Sequence, residues 1–308
     1  MRESRGTYDY SMAGILKRCL AVCGILCVSM MALPVGAQEG EGQAKTGTDP
    51  RDFAPKFMPY YRYTELENGL QNDAFTLFGL YAFTPKFAMT YEIPVGYKND
   101  VTGTTLNNGN NTCGPGGSFS PGEGLPPISI PGVVGNCQET GMGDLNLRFM
   151  YSSDVGWLGG DWIFGVQIDL PTATQNFLGN EQVRLGPMFA YVRDIPKWPG
   201  PGAFFALMNF YFFDVFKDDS VGDTSMYVGR WFVMLPISKK HKIYLLPEFQ
   251  PIYDFENNHF SFWVGPEIGK MINKKNIIYV KPGWGVKPDA PFGDRDFTFE
   301  IGWRYFMD

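Results

Sequence analysis

The chain has 308 residues and a net charge of −6, with 16% aromatic side chains, among them 26 Phe and 16 Tyr. An acidic balance excludes a nucleic-acid-binding face, which needs clustered Lys and Arg. After residue 37 no stretch reaches the roughly 18 consecutive apolar residues of a helical membrane span, and the aromatic content exceeds what a soluble core of this size requires.

Lys17 and Arg18 precede an apolar run from Cys19 to Leu33, followed by Pro34-Val-Gly-Ala37 and polar Gln38. This order of charged, apolar and small residues reads as a secretory signal peptide over 1–37, cut after Ala37. Val22 and Leu26 stand before Cys23 and Cys27 where a lipid anchor needs a small residue. Removal of 1–37, with four basic and two acidic side chains, takes the charge from −6 to −8. It leaves Cys113 and Cys137 as the only cysteines, an even pair in an oxidising compartment, so one disulfide is expected. Residues 38–56, rich in Gly, Glu and Gln, read as a disordered periplasmic leader.

From residue 57 onward the sequence predicts twelve strands: 57–64, 73–83, 87–97, 143–152, 161–170, 181–192, 202–213, 224–236, 242–254, 259–271, 277–287 and 295–306. Most have the length of a tilted strand that crosses a bilayer. Their connections alternate between short turns (84–86, 153–160, 194–201, 237–241, 272–276) and longer loops, the longest spanning 98–142. Short periplasmic turns and long extracellular loops are the outer-membrane pattern. The expected fold is therefore all-β: a transmembrane antiparallel barrel of about 12 strands, of the bacterial outer-membrane type, over 57–308.

Strand parity then assigns faces. Val183, Leu185, Pro187, Phe189 and Tyr191 oppose Gln182, Arg184, Gly186, Met188 and Ala190; Ile243, Leu245, Pro247, Phe249 and Pro251 oppose Tyr244, Glu248 and Gln250; Val280, Pro282, Trp284 and Val286 oppose Lys281, Gly283, Gly285 and Lys287. The mid-strand prolines fall on the lipid face and are expected at bulges. Residues 203–213 are apolar on both faces, so parity leaves their register open.

The lumen collects Arg62, Arg148, Arg184, Arg230, Lys281, Lys287 and Arg304, facing Glu92, Asp144, Asp169, Glu248, Glu267, Asp296 and Glu300. Equal numbers of each sign point to ion pairs that stiffen the wall rather than a one-sign selectivity ring. The functional alternative makes Arg148, Arg184 and Glu267 a polar constriction, with Arg230, Glu248, Lys281, Glu300 and Arg304 as further solute contacts. Asp214, Asp218, Asp219 and Asp223 form an acidic loop, read as solvated in preference to a site for cations that bridge lipopolysaccharide.

Gly141-Met-Gly-Asp-Leu-Asn-Leu-Arg148, then Asp169-Leu-Pro-Thr172, Phe177-Leu-Gly179 and Leu185-Gly-Pro187 follow one another in the middle of the chain. In this order they resemble the barrel family named for the meta-pathway of phenol degradation, with Ala173 where that family usually has Gly. The resemblance implies an outer-membrane transporter-like barrel that takes up small hydrophobic or aromatic molecules; it brings no catalytic residue.

An enzyme reading rests on His259-Phe-Ser261, whose spacing resembles the outer-membrane phospholipase family. The Gln and Asn-Gly of that motif are missing, and parity sends Phe260, Phe262 and Val264 to lipid and the His–Ser pair to the lumen. Asn273 and Asn276 lie at the opposite membrane edge, too far to orient His259. The chain's last strand alternates Phe297, Phe299, Ile301, Trp303 and Tyr305 with Thr298, Glu300, Gly302 and Arg304. Its ending resembles the signal read by the barrel-assembly machinery, with Met307-Asp308 where an aromatic final residue is usual. The expected function is passive passage of small solutes across the bacterial outer membrane, with no cofactor or metal, outer-membrane lipid and lipopolysaccharide as surroundings, and no nucleic acid. The alternative is a closed barrel whose extracellular loops bind a surface partner.

Overall fold

Alternation of outward apolar and inward polar residues is what the twelve long strands have in common. They are β1 (Lys56–Leu66), β2 (Leu70–Thr84), β3 (Phe87–Val101), β4 (Leu145–Ser153), β5 (Asp161–Leu170), β6 (Gln182–Asp194), β7 (Phe204–Lys217), β8 (Ser225–Ser238), β9 (Ile243–Asp254), β10 (His259–Met271), β11 (Asn276–Lys287) and β12 (Arg295–Phe306). The structure, a computed structural model, describes residues 46–66, 70–101, 118–119, 128–129, 138–153, 156–174, 178–196, 198, 202–217, 222–238, 240–287 and 295–307. The expected signal segment 1–37, Cys113 and Cys137 lie outside them.

Each strand pairs antiparallel with the next, and β1 pairs with both β2 and β12, which closes the sheet into a twelve-stranded barrel. The predicted strands match the observed ones, most of which extend one to four residues further at one or both ends. Gln138–Gly141 adds a short strand on Tyr97–Asp100, above the start of β4. Closure removes the unpaired edges that a membrane does not tolerate.

The outer surface carries aromatic clusters near the short turns and near the loops. Near the short turns, Phe83 stacks on Phe87, Trp162 leans on Tyr191 and Tyr191 on Phe205, with ring centroids 5.1–5.8 Å apart. Near the loops, Tyr211 meets Phe255 at 5.8 Å, and Phe297 lies between Trp284 and Tyr63 at 6.1 and 6.5 Å. Ile268, Ile278 and Ile301 are exposed as well. Rings that are apolar at one end and polar at the other settle at the two membrane–water boundaries.

Two expectations are corrected by the register. Asp296 does not face the lumen: Glu65 pairs with Phe297 and Leu66 with Arg295, so Asp296 is an extra, bulged residue, exposed outside, while Arg295 takes the inward place. Pro94 and Pro236 do flank register shifts, but Pro187, Pro247, Pro251 and Pro282 do not mark bulges. Pro247 stays in register with Pro266, and the β8–β9 register runs unshifted past Pro247 and Pro251. The doubtful strand β7 turns Phe204, Ala206, Met208, Phe210 and Phe212 inward.

Candidate functional site

The inner wall has two sides of different chemistry. On β6–β8 it is mostly apolar, with Met188, Ala190, Val192, Phe204, Ala206, Met208, Phe210, Phe212, Val228, Phe232 and Met234 all buried beside Gln182, Arg184 and Arg230. From β9 round to β1 it is charged. Glu248 bridges Arg230 and Lys281, each at 2.9 Å. Arg304 holds both oxygens of Glu267 at 2.8 Å, and the Tyr244 hydroxyl donates to the same carboxylate at 2.6 Å. Arg62 pairs with Glu300 at 2.7 Å, and the Tyr279 hydroxyl donates to Glu300 at 2.8 Å. The Tyr60 hydroxyl donates to Glu92.

These pairs follow from the register. Arg62 and Glu300 are direct cross-strand partners on β1 and β12, as are Lys281 and Glu300 on β11 and β12. A charge without a partner in such a low-dielectric interior is costly, whereas a hydrogen-bonded pair is tolerated. Inward glycines make room for the tyrosines: Tyr244 lies over Gly269 and Tyr279 over Gly302, where a Cβ would collide with the ring.

On β4–β6 the polar groups form a network rather than discrete pairs. Arg148 donates to Gln167 at 2.8 and 3.1 Å and stacks on Phe210, 5.0 Å from the ring centre. Gln167 passes its amide protons to Asn146 and Asp169, each at 2.8 Å. Arg184, only 2% exposed, lies in the field of Asp169, Asp144 and Asp214.

Both ends of the lumen are crossed by chain. At the loop end, residues 171–174 and 178–181 turn inward, and Leu178 packs against Ala74 on the inner face of β2. Asp144 holds that turn. Its Oδ1 accepts from the backbone N–H groups of Thr172 and Ala173 at 3.1 Å; its Oδ2 accepts from the backbone and side chain of Asn180 at 2.7 and 3.0 Å. At the short-turn end, residues 46–55 stretch between opposite walls. Gly47 abuts Phe306 on β12, while Arg51 reaches Asp161 and Asp194, at the ends of β5 and β6, at 2.9 and 2.7 Å, and covers the ring of Phe204. Residues 46–56 of the segment read as an unfolded leader are thus folded here, with Phe53 and Lys56 buried.

A closed barrel with lipid-facing aromatic clusters and a polar lumen is the fold of outer-membrane channels. No family model and no curated protein matches the sequence. Among solved structures, the chain is similar to the COG4313 outer membrane channel from Pseudomonas putida F1, at 12% identity over 88% of this chain and 100% of that one, with a TM-score of 0.61. It is also similar to the NanC porin, at 7% identity over 82% of this chain and 100% of that one, with a TM-score of 0.51. The shared feature is the fold.

Arg148, Arg184, Arg230, Glu248, Glu267, Lys281, Glu300 and Arg304 all point inward, as parity predicted, but not into one constriction. Arg148 and Arg184 sit on β4 and β6; Glu267 belongs to the other wall with Arg304. Arg295, Tyr279 and Arg51 were missed, and Tyr244 was placed inward but not counted among the solute contacts. The two tyrosines were legible as inward by parity alone; Arg295 was hidden by the bulge, and Arg51 by its polar neighbourhood. His259 and Ser261 follow the inward parity of Trp263, with Phe260 exposed outside, opposite to the arrangement a lipid-cleaving pair requires.

Proposed function

We propose that the protein is a passive channel of the bacterial outer membrane for small molecules with an apolar or aromatic face and a polar group. The observation that carries this reading is the division of one lumen into an apolar wall on β6–β8 and a charged, tyrosine-bearing wall on β9–β12 and β1. These side chains are buried on one another, so a solute has to part the two walls, meeting Phe210, Phe212 and Phe232 on one side and Tyr244, Tyr279 and the paired charges on the other. Aromatic contact on one side and hydrogen-bond exchange on the other replace its water as it moves. The charges are paired in both senses, so no ring of one sign rejects anions or cations.

The test is conductance of the refolded protein in planar bilayers, with phenolic and aliphatic acids added in turn. Discrete steps, interrupted by phenolic acids more than by aliphatic acids of equal charge, are expected. A verified folded barrel that never conducts overturns the reading. It would favour a sealed barrel acting through its loops, which is supported by the inward side chains being buried on one another and by the segments that cross both mouths.

A further inference from the structure

Pro266 on β10 and Pro282 on β11 face each other in mid-strand. Val264 pairs with Trp284 on one side of them and Ile268 with Val280 on the other; between these pairs the β10–β11 ladder is interrupted. Successive residues of a strand aim their backbone groups at opposite neighbours. The β9–β10 ladder runs unbroken through Pro266, and the β11–β12 ladder runs unbroken through Pro282. Both ring nitrogens therefore point into the β10–β11 seam. An ordinary pair there would exchange two N–H···O bonds; two prolines can exchange none. The unbonded stretch covers four residue steps, about 13 Å of strand.

Other prolines weaken the wall less. Extending the register puts Pro59 opposite Trp303, Pro187 opposite Tyr211, Pro247 opposite Val233 and Pro251 opposite Gly229, and each of those partners keeps its own N–H. Pro247 and Pro266 lie side by side, but with their nitrogens turned away from one another. A barrel spans hydrocarbon because its backbone groups are satisfied within the wall. At this seam two carbonyls lose their donors together.

One side chain covers the seam from within. The indole of Trp263 lies over Gly265 of its own strand and Gly283 of β11, where any Cβ would collide with it. Arg295 and Lys281 stack on it, 4.5 and 5.4 Å from the ring. Trp263 is 4% exposed, and its Nε1 has no hydrogen-bond partner among the described residues. No hydrogen bond among the described residues holds it in place, only its stacking on Arg295 and Lys281 and its seat on the two glycines. Outside the seam are Val264, Ile268, Val280 and Trp284, all facing lipid. Towards the short-turn end, the Glu267–Arg304 pair and residues 46–55 stand in the way of an apolar molecule.

We propose that the β10–β11 seam is a lateral portal, with Trp263 as its inner cover, through which small apolar or aromatic solutes pass from the lumen into the bilayer. This rests on the channel reading above. Apolar surface moving into hydrocarbon is favoured without any further driving force.

The test locks the seam with Pro266→Cys and Pro282→Cys in a background with Cys113→Ser and Cys137→Ser. Cα atoms of such a pair stand about 5.5 Å apart, within disulfide reach. Entry of 1-N-phenylnaphthylamine, which fluoresces only inside the membrane, is followed in intact cells, alongside potassium chloride conductance of the purified protein. Oxidation is expected to lower dye entry to that of cells without the protein and leave conductance unchanged, and dithiothreitol to restore entry, which also shows that the variant folds. Pro266→Ala with Pro282→Ala, which returns two ladder bonds, is expected to slow entry severalfold. Equal dye entry in the oxidised and reduced forms overturns the portal, as does a wild-type protein that conducts but adds nothing to dye entry. A wild-type protein that neither conducts nor admits dye overturns the channel reading itself.

Discussion

Leu178 packs against Ala74, although one belongs to the loop after β5 and the other to the inner face of β2. Leu178 must lie inside the barrel mouth to make that contact. Asp144 holds it there by accepting from Thr172, Ala173 and Asn180. The Gly141–Arg148 and Asp169–Thr172 stretches and Leu178-Gly179 are therefore parts of one clasp. Gly143 meets Pro94, and Gly179 packs on Ala173 and the Asp144 carboxylate.

Asp144→Ala is expected to free this loop and widen the mouth. The unsatisfied backbone donors would cost about 1–3 kcal/mol. Single-channel conductance should rise by about twofold, with more open-state noise from the released segment. An unchanged conductance in a folded variant would show that the loop does not set the narrowest point.

Arg51 performs the corresponding task at the other end, tying residues 46–55 to Asp161 and Asp194. Both carboxylates are about half exposed, so Arg51→Ala should change stability by no more than about 1 kcal/mol. Its effect should fall on transport: larger steps and faster uptake of polar solutes, with the same thermal unfolding. A variant indistinguishable from wild type in bilayers would mean that the segment stays in place without its anchor.

The barrel was legible because its signal is local. Alternation every second residue, with turns of contrasting length, fixes which side chains face lipid, and all eight candidate lumen residues obeyed it. What escaped depends on partners far along the chain. Asp144 finds its acceptor role 28 to 36 residues later, and Arg51 finds its carboxylates 110 and 143 residues later. The prolines were recognised as unusual on the lipid face, but which neighbour each ring nitrogen faces depends on the register of the adjoining strands.

Glu248 bridges Arg230 and Lys281, each at 2.9 Å. Glu248→Ala should therefore leave two buried cations facing each other and destabilise the barrel by about 3–5 kcal/mol. Removing one cation as well, with Glu248→Ala and Lys281→Met, should recover a large part of that loss. Unfolding in urea from detergent micelles measures both. A double variant no more stable than the single one would show that the loss comes from packing rather than from charge.

The bulge at Asp296 separates two adjacent charges by the thickness of the wall. Arg295 faces inward, donating to Gln250 at 3.1 Å and stacking on Trp263, while Asp296 is exposed. With Cys113 and Cys137 replaced by Ser, Asp296→Cys should react readily with a membrane-impermeant maleimide applied to intact cells. Arg295→Cys should react at least tenfold more slowly, shielded by the indole. Arg295→Ala should also remove one lumen cation and shift the reversal potential towards cation preference, which Asp296→Ala should not do. Faster labelling at Arg295→Cys than at Asp296→Cys would mean that β12 runs without the bulge and that Asp296, as simple alternation predicts, faces the lumen.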